Sequence, residues 1–329
     1  MYRRRLTRCF VVFCALASLL LLAPAGSTAA PSEISLLEPT STHATAAAVQ
    51  KPVNTTLVSR MRTVAINPDI LNIQTSNSIQ LNLFQDAQYR AIRVSSQNGA
   101  GGLVVWTGTI AGAENGHVVI VAKDKRVYAS IVLASATYQV RPVGQGLHVL
   151  RQIRKEALTG IESVPSEVGP SEFRVIQLVN QERMIEGLRP LHYNGRLYDS
   201  ARNHSRDMAM ANYYSHDSRN GRKFFERIFA SGYPVSKCGE NIAQGFSSPE
   251  EVFEGWMSSQ DHRVNIMNAE FTEIGVGYAS DDSTRRIYWT QDFGAGRNSD
   301  VGQRVRLAGG SLSVQADRGA WGFWEWLRE

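Results

Sequence analysis

Between residues 79 and 153 apolar and polar positions alternate in short runs. SIQLNLF, YRAIRVS, GLVVWTGTI, GHVVIVA, RVYASIV, TYQVRP and LHVLRQI are rich in β-branched and aromatic residues. Breaks such as QNGAGG and AENG carry turn chemistry, so the pattern predicts seven strands in an antiparallel sheet or sandwich. The period changes at residue 171. In EFRVIQLVNQERMIEG, Phe173, Ile176 and Val179 form a helical stripe that ends at Gly187. In NGRLYDSARNHSRDMAMANYY, Leu197, Ala201, Ser205 and Met208 line one face, predicting a helix that packs through small residues. RKFFERIFASGY predicts a third helix. SPEEVFEGWM predicts a fourth, with Ser248 as N-cap, Pro249 at N1 and Glu251 at N3. FTEIGVGYA and RIYWTQDFGA read as strands, and GENIAQG (239–245) as a glycine-flanked turn. Helices followed by strands, without βαβ alternation, predict an α+β fold.

The remaining segments set the boundaries. MYRRRLTR holds four arginines and no acid, an apolar run follows, and AGSTAA supplies small residues. This is the pattern of a secretory signal peptide, residues 1–29, with cleavage expected after Ala29. The apolar run is short for a membrane span, so no transmembrane anchor is expected in the mature chain. Residues 30–60 are rich in Ser, Thr, Ala and Pro and read as a disordered linker. A β-rich domain (61–153), a second linker (154–170), an α+β domain (171–296) and a tail (297–329) follow. The tail ends in GAWGFWEWLRE, an aromatic cluster that suits a contact surface, a sugar face or packing onto its own domain.

Charge and cysteine content narrow the function. The full chain carries 35 Lys+Arg against 30 Asp+Glu. Four of those arginines leave with the signal peptide, so the mature chain is close to neutral. No basic stripe interleaved with aromatics appears, which argues against nucleic acid as a partner. Cys9 and Cys14 leave as well, so Cys238 has no intramolecular disulfide partner. A buried apolar role is the common state of such a thiol.

The chemistry-bearing residues stand in a fixed order: LVNQER, ARNHSRDMA, YYSHDSRNG, GYPVSKCGENIAQG, WMSSQDHRVNIMNAEFTEIGVGYA and YWTQDFG. Together these motifs closely resemble the bacterial form of the CAP (SCP-like) superfamily over residues 173–295. The resemblance implies an α–β–α sandwich with an open cleft. It places the cleft residues at His216 of the SH motif, Glu240 of the GEN motif and His262. A second acid, expected three residues after Trp256, is replaced by Ser259, a departure usual in the bacterial form. Upstream, LNLFQDAQYRA, VWTGTIAG and YQVRPVGQGLHVLRQI resemble the propeptide-like β domain of some bacterial secreted metallopeptidases. That resemblance implies a prodomain, a folding aid or a surface module, and it does not imply peptidase activity, since the chain has no HExxH.

Two imidazoles and a carboxylate suit zinc or another divalent metal, with an open position for water. Equally, a carboxylate bonded to a histidine fixes its tautomer and raises its basicity, as a general base requires. His216, Glu240 and His262 are 24 and 22 residues apart, so no local helix geometry decides between these. The structural alternative for Glu240 is an ion pair, for instance with Arg263. Ser259, Asn241 and Arg263 are expected along the cleft. His204 reads as a satisfied core histidine, and His117 and His148 as surface or satisfied strand histidines. The expectation is a secreted, extracellular protein whose cleft binds a metal, a peptide, a lipid or a cell-wall glycan. The alternative is a metal-assisted hydrolase covered by the β domain.

Overall fold

The computed structural model describes residues 34–38, 54, 56–154, 166–281 and 283–295. The expected signal peptide, the greater part of the 154–170 linker and the aromatic tail lie outside the described residues.

The N-terminal half is a single nine-stranded sheet. Its strands are β1 (Ile34–Ser35), β2 (Val58–Ala65), β3 (Ser78–Phe84), β4 (Ala87–Asn98), β5 (Val104–Ile110), β6 (His117–Lys123), β7 (Arg126–Val132), β8 (Thr137–Gly144) and β9 (Leu147–Ile153). Strands β3 to β9 run as an antiparallel meander, and β2 adds antiparallel to β9. β1 pairs parallel with β3 at the opposite edge. The two edges meet. Leu37 bridges Ile66, the Glu38 N–H donates to Ala65 O (3.0 Å), and the Asn67 N–H donates to Leu36 O (3.2 Å). The result is a curled, closed barrel, which removes exposed strand edges. All seven expected strands form, but as one closed sheet and not a sandwich. Part of the expected linker also belongs to it. Leu36 and Leu37 are fully buried in the barrel core, and β2 starts at Val58. The pattern of β2 conceals this, because Arg60 lies over the Phe84 ring (4.0 Å) and covers apolar surface with a charged side chain.

Period-two alternation fills the barrel. Ile79, Leu81 and Leu83 of β3 point inward with Trp106, whose indole N–H donates to Ser76 O (3.1 Å). β6 and β7 are joined by Asp124 and Lys125, both with positive φ (50° and 61°), the geometry of a two-residue primed turn.

The C-terminal half comprises α1 (Pro170–Ile185), β10 (His192–Tyr193), α2 (Gly195–Ala211), α3 (Phe224–Ala230), β11 (Cys238–Gln244), α4 (Pro249–Ser258), α5 (Gln260–Ile266), β12 (Glu273–Ser280) and β13 (Ile287–Gly294). Its sheet order is β10-β12-β13-β11, which makes β11 an edge strand. GENIAQG is therefore strand and not turn; only Gly245, with φ at 89°, takes the left-handed backbone that ends it. Helix α2 covers one face with the expected stripe, Leu197, Ala201, Ser205 and Met208, all fully buried. It approaches β12 backbone to backbone. A Cβ added at Gly275 would lie 2.1 Å from the Leu197 carbonyl carbon, and one at Gly277 would lie 2.4 Å from that of Ala201. Helices α1 and α4 cover the other face through Val175, Val179, Phe253 and Trp256 against Val276, Trp289 and Phe293. This is the expected α–β–α arrangement. The α4 N-cap forms as expected, with Ser248 Oγ accepting from Glu251 N (3.2 Å). The Glu251 carboxylate, however, accepts from Ser247 N and Oγ.

The two halves share a core. Val105, Val119, Val121 and Tyr128 on the outside of the barrel pack with Val252, Phe253 and Trp256. A buried charge cluster lies beside them. Arg141 pairs with Glu182 (3.2 Å) and Glu254 (3.0 Å), Arg151 pairs with Glu182 (3.4 Å) and Glu186 (2.7 Å), and Ser130 donates to Glu254. Helix α1, caught between both halves, buries Glu172, Asn180, Glu182 and Arg183 as well as its apolar stripe.

Candidate functional site

The site is assembled around Glu240 on the edge strand β11. Its side chain is 1% exposed, and both oxygens are engaged. His216, in the loop between α2 and α3, places Nδ1 2.7 Å from Oε1. Arg227 of α3 donates to Oε2 (2.5 Å) and, through its other terminal nitrogen, to the His216 carbonyl (2.7 Å). The three residues form a closed ring. An ionised Glu240 accepts the proton on Nδ1, so the neutral His216 ring carries its lone pair at Nε2. The His216 side chain is 43% exposed, so a buried acid orients a solvent-facing base.

A second histidine binds this loop. His204 of α2, fully buried, has Nε2 2.9 Å from the carbonyl of Ser215. Its Nδ1 has no hydrogen-bond partner among the described residues, so this core histidine is only half satisfied. Burial lowers its pKa, and it serves as a neutral donor that anchors the residue before His216.

His262 comes from α5, which two asparagines tie to β11. Asn241 Nδ2 donates to His262 O (3.1 Å) and Asn265 Nδ2 donates to Glu240 O (3.2 Å) and Asn241 Oδ1 (2.9 Å). Burial, and next the proximity of His216, depress the His262 pKa to about 4, so its ring is neutral near pH 7. Ser259 sits at the α4–α5 junction and lines the cleft. Arg263 lies elsewhere: its charge acts on Glu182 and Tyr128 at the junction of the two halves. The partner of Glu240 is Arg227 and not Arg263.

Two members of the site escape a reading of the sequence. Arg227 stands inside an ordinary amphipathic helix. Asp292 faces Glu240 across β11 and β13 and is completely buried, with the Ser200 side chain and Glu240 as its polar neighbours. Burial, and next the charge of Glu240, push its carboxyl well above the usual range, so it holds its proton. The one signal in the sequence is an acid in the middle of a strand, YWTQDFG. Burial, followed by Asp292 and Glu240, also raises the Cys238 thiol to about 12, which leaves it unreactive near neutrality.

Along the outer edge of β11 runs a cavity of about 720 Å³. Its walls are Ile242 to Phe246, Tyr214, Trp256, Ser259 and His262 on one side, and Gln97 to Ala100, Leu103 and Lys123 of the barrel on the other. Tyr214 OH and Trp256 Nε1 both donate to the Ile242 carbonyl, each at 3.1 Å.

Residues 176–293 match the family model of the cysteine-rich secretory protein family, CAP, and residues 34–149 match the BamI lipocalin-like domain. The second match agrees with a barrel and gives only weak support to the resemblance to peptidase propeptides. The uncharacterized protein YkwD of Bacillus subtilis (strain 168) is 44% identical over 131 residues, 40% of this chain and 49% of YkwD. The uncharacterized membrane protein YlbC of the same organism is 32% identical over 123 residues, 37% of this chain and 34% of YlbC. The chain thus spans half or less of these relatives. An extracellular SCP-domain protein of Bacillus anthracis str. Ames is 20% identical, with 63% of this chain and 85% of that one covered and a TM-score of 0.37. No helix among the described residues is long and apolar enough to cross a membrane. Over residues 176–293 this chain is thus similar to the CAP family.

Proposed function

We propose that the protein is exported and that its CAP cleft is a binding site for an extracellular ligand, centred on His216, Glu240 and His262. The observation that carries this reading is the His216–Glu240–Arg227 ring. A buried carboxylate held by an arginine is an expensive arrangement, and here it fixes the tautomer of one half-exposed imidazole beside a second neutral one. Such a pair accepts protons, hydrogen-bond donors or a metal ion.

The donor set fits a divalent metal such as zinc only in part. His216 Nε2 and His262 would be its ligands. Glu240, with both oxygens engaged, would orient His216 from behind, as carboxylates do for metal-bound histidines. Among the described residues no cluster of three or more His, Cys, Asp or Glu has metal-site geometry. Two protein ligands fall short of the usual three, so the ion would be weakly held and completed by water or by the ligand itself. The alternative of a metal-assisted hydrolase has no observation in its favour.

Zinc content of the purified mature chain, measured by elemental mass spectrometry after dialysis against trace zinc, tests the reading alongside the His216→Ala/His262→Ala double variant. About one zinc per wild-type chain and none in the variant supports a metal-assisted cleft. No zinc in either removes the metal and leaves the hydrogen-bonded cluster as a ligand site. N-terminal sequencing of the secreted chain tests export, with a start at Ala30 expected.

A further inference from the structure

Helix α3 presents an unpartnered aromatic face. Its seven residues bury Arg227, which reaches Glu240, and Ile228, which joins a small core with Leu197 and Tyr233. Phe225 and Phe229, one turn apart at i and i+4, are 38% and 60% exposed. They are the two exposed phenylalanines among the described residues. Phe224 extends the face, half-buried and edge-on to Phe225 at 5.7 Å. A single exposed apolar side chain needs no explanation, but adjacent aromatics on one short helix mark a contact surface.

The chain itself leaves the described fold beside this helix. Ala295 donates its N–H to Lys237 O (3.0 Å), and its carbonyl accepts from Ser236 Oγ (3.0 Å). Ser236 and Lys237 belong to the short link from α3 to β11. Within that link Tyr233 packs on Gly294, where an added Cβ would lie 2.2 Å from the Tyr233 hydroxyl. Tyr233 in turn shares its core with Phe224 and Ile228 of α3. Beyond Ala295 no aromatic residue occurs until Trp321; then Trp321, Phe323, Trp324 and Trp326 follow within six residues. The 25 residues between Ala295 and Trp321, at up to ~3.3 Å each when extended, reach any part of α3.

We propose that the aromatic segment 321–326 of the same chain docks on the Phe225–Phe229 face of α3. Offset and edge-on contacts between aromatic rings supply the attraction. A second copy of the chain is a poorer occupant. Two partly exposed phenylalanines on a seven-residue helix fall well short of the ~800 Å² per partner that a stable interface buries. A tethered segment needs far less, because its effective concentration is on the order of millimolar. The docked segment braces the helix that carries Arg227, and through it the ring around Glu240. This contact goes beyond the reading of the cleft as a ligand site and does not depend on it.

Photo-crosslinking of the full mature chain carrying Phe229→p-benzoylphenylalanine tests the proposal. This variant keeps an aromatic ring at an exposed position, so its folding is not in question. Tryptic mass spectrometry is expected to find the adduct on the segment that follows Arg318, in material that runs as a monomer. The same adduct in a dimer band, or crosslinks confined to other segments, overturns the proposal. Iodide quenching gives a second readout. Trp106, Trp256 and Trp289 are fully buried, so quenchable tryptophan emission reports Trp321, Trp324 and Trp326. The Phe225→Asp/Phe229→Asp variant is expected to raise the quenching constant several-fold over wild type. Met210→Asp, at the 88% exposed Met210 of α2, is expected to leave it unchanged. Quenching equal in wild type and the double variant, or an effect of Met210→Asp as large, overturns the docking on α3.

Discussion

Asp292 and Glu240 are direct cross-strand partners on β13 and β11, two carboxyl groups on one face of the sheet with almost no solvent contact. Burial, and next the charge of Glu240, raise the Asp292 carboxyl well above its ordinary range, so Asp292 keeps its proton, while Arg227 and His216 engage the two oxygens of Glu240. Folding thus raises the Asp292 pKa above its ordinary value of 3.8. The folded chain binds the extra proton, so this stability is complete below about pH 4 and is lost as pH rises toward the folded pKa. Asp292→Asn mimics the protonated acid and removes that loss. Thermal unfolding across the pH range should show wild type falling relative to Asp292→Asn as pH rises. Parallel curves would mean that Asp292 is ionised in the fold.

Glu240→Gln separates an orienting role from a ligating one. An amide has no charge to hold the proton on Nδ1 of His216, so the imidazole should shift toward the Nε2–H tautomer, seen in nitrogen NMR of the ring. Zinc affinity should fall by about 10–100-fold, the effect of losing a partner behind a metal-bound histidine. Complete loss of zinc with an unchanged tautomer would instead make Glu240 a ligand.

His148 tests acid sensitivity away from the cleft. It is buried in β9, and its Nε2 accepts from the Val127 N–H (3.0 Å), a bond that requires the neutral ring. Burial lowers its pKa to about 4, against an ordinary value of 6.5. The unfolded chain binds the proton first, so the stability is complete above about pH 6.5 and is lost as pH falls toward 4. The loss amounts to about 3 kcal/mol. In His148→Gln, whose amide oxygen can accept from Val127, the acid limb of the stability curve should be shallower by about that amount. Chemical denaturation at pH 4.5 and pH 7 measures it, and an unchanged limb would place the acid sensitivity at His204 or His262.

What could be read in the sequence depended on how many sides of an element face solvent. Helix α2 packs on one side, so its stripe of Leu197, Ala201, Ser205 and Met208 was legible from periodicity. Helix α1 is pressed by the barrel and by the C-terminal sheet at once. Its buried Glu182 and Arg183 look like surface residues until their partners are known. GENIAQG suggested a turn because of its glycines, but Gly239 is a packing position: a Cβ there would lie 3.0 Å from Phe271 and from Asn265 Oδ1. His216, Glu240 and His262 were placed by family resemblance, since spacings of more than 20 residues carry no geometry. Arg227 and Asp292 join the site only through tertiary pairing across α3 and β13, which leaves no local trace.

The coupling of the barrel to the C-terminal half rests on Arg141. It is 4% exposed and bridges Glu182 of α1 and Glu254 of α4, both of which are buried. Burial raises the Glu254 pKa, with Arg141 and Ser130 acting against it. For Glu182, burial is outweighed by Arg141, Arg151 and Arg263, and its pKa is lowered. Arg141→Met strands Glu254, because Ser130 is then its remaining partner. Breaking a buried pair in this way costs ~3–5 kcal/mol. Glu254→Gln in the same chain removes the stranded charge, so the double variant should be less destabilised than the sum of the two single ones. Urea unfolding of the four chains closes the cycle. A transition that splits in two for Arg141→Met would show that this cluster holds the halves together, whereas strictly additive effects with one cooperative transition would assign the coupling to the apolar contact of Val119, Val121 and Tyr128 with Phe253 and Trp256.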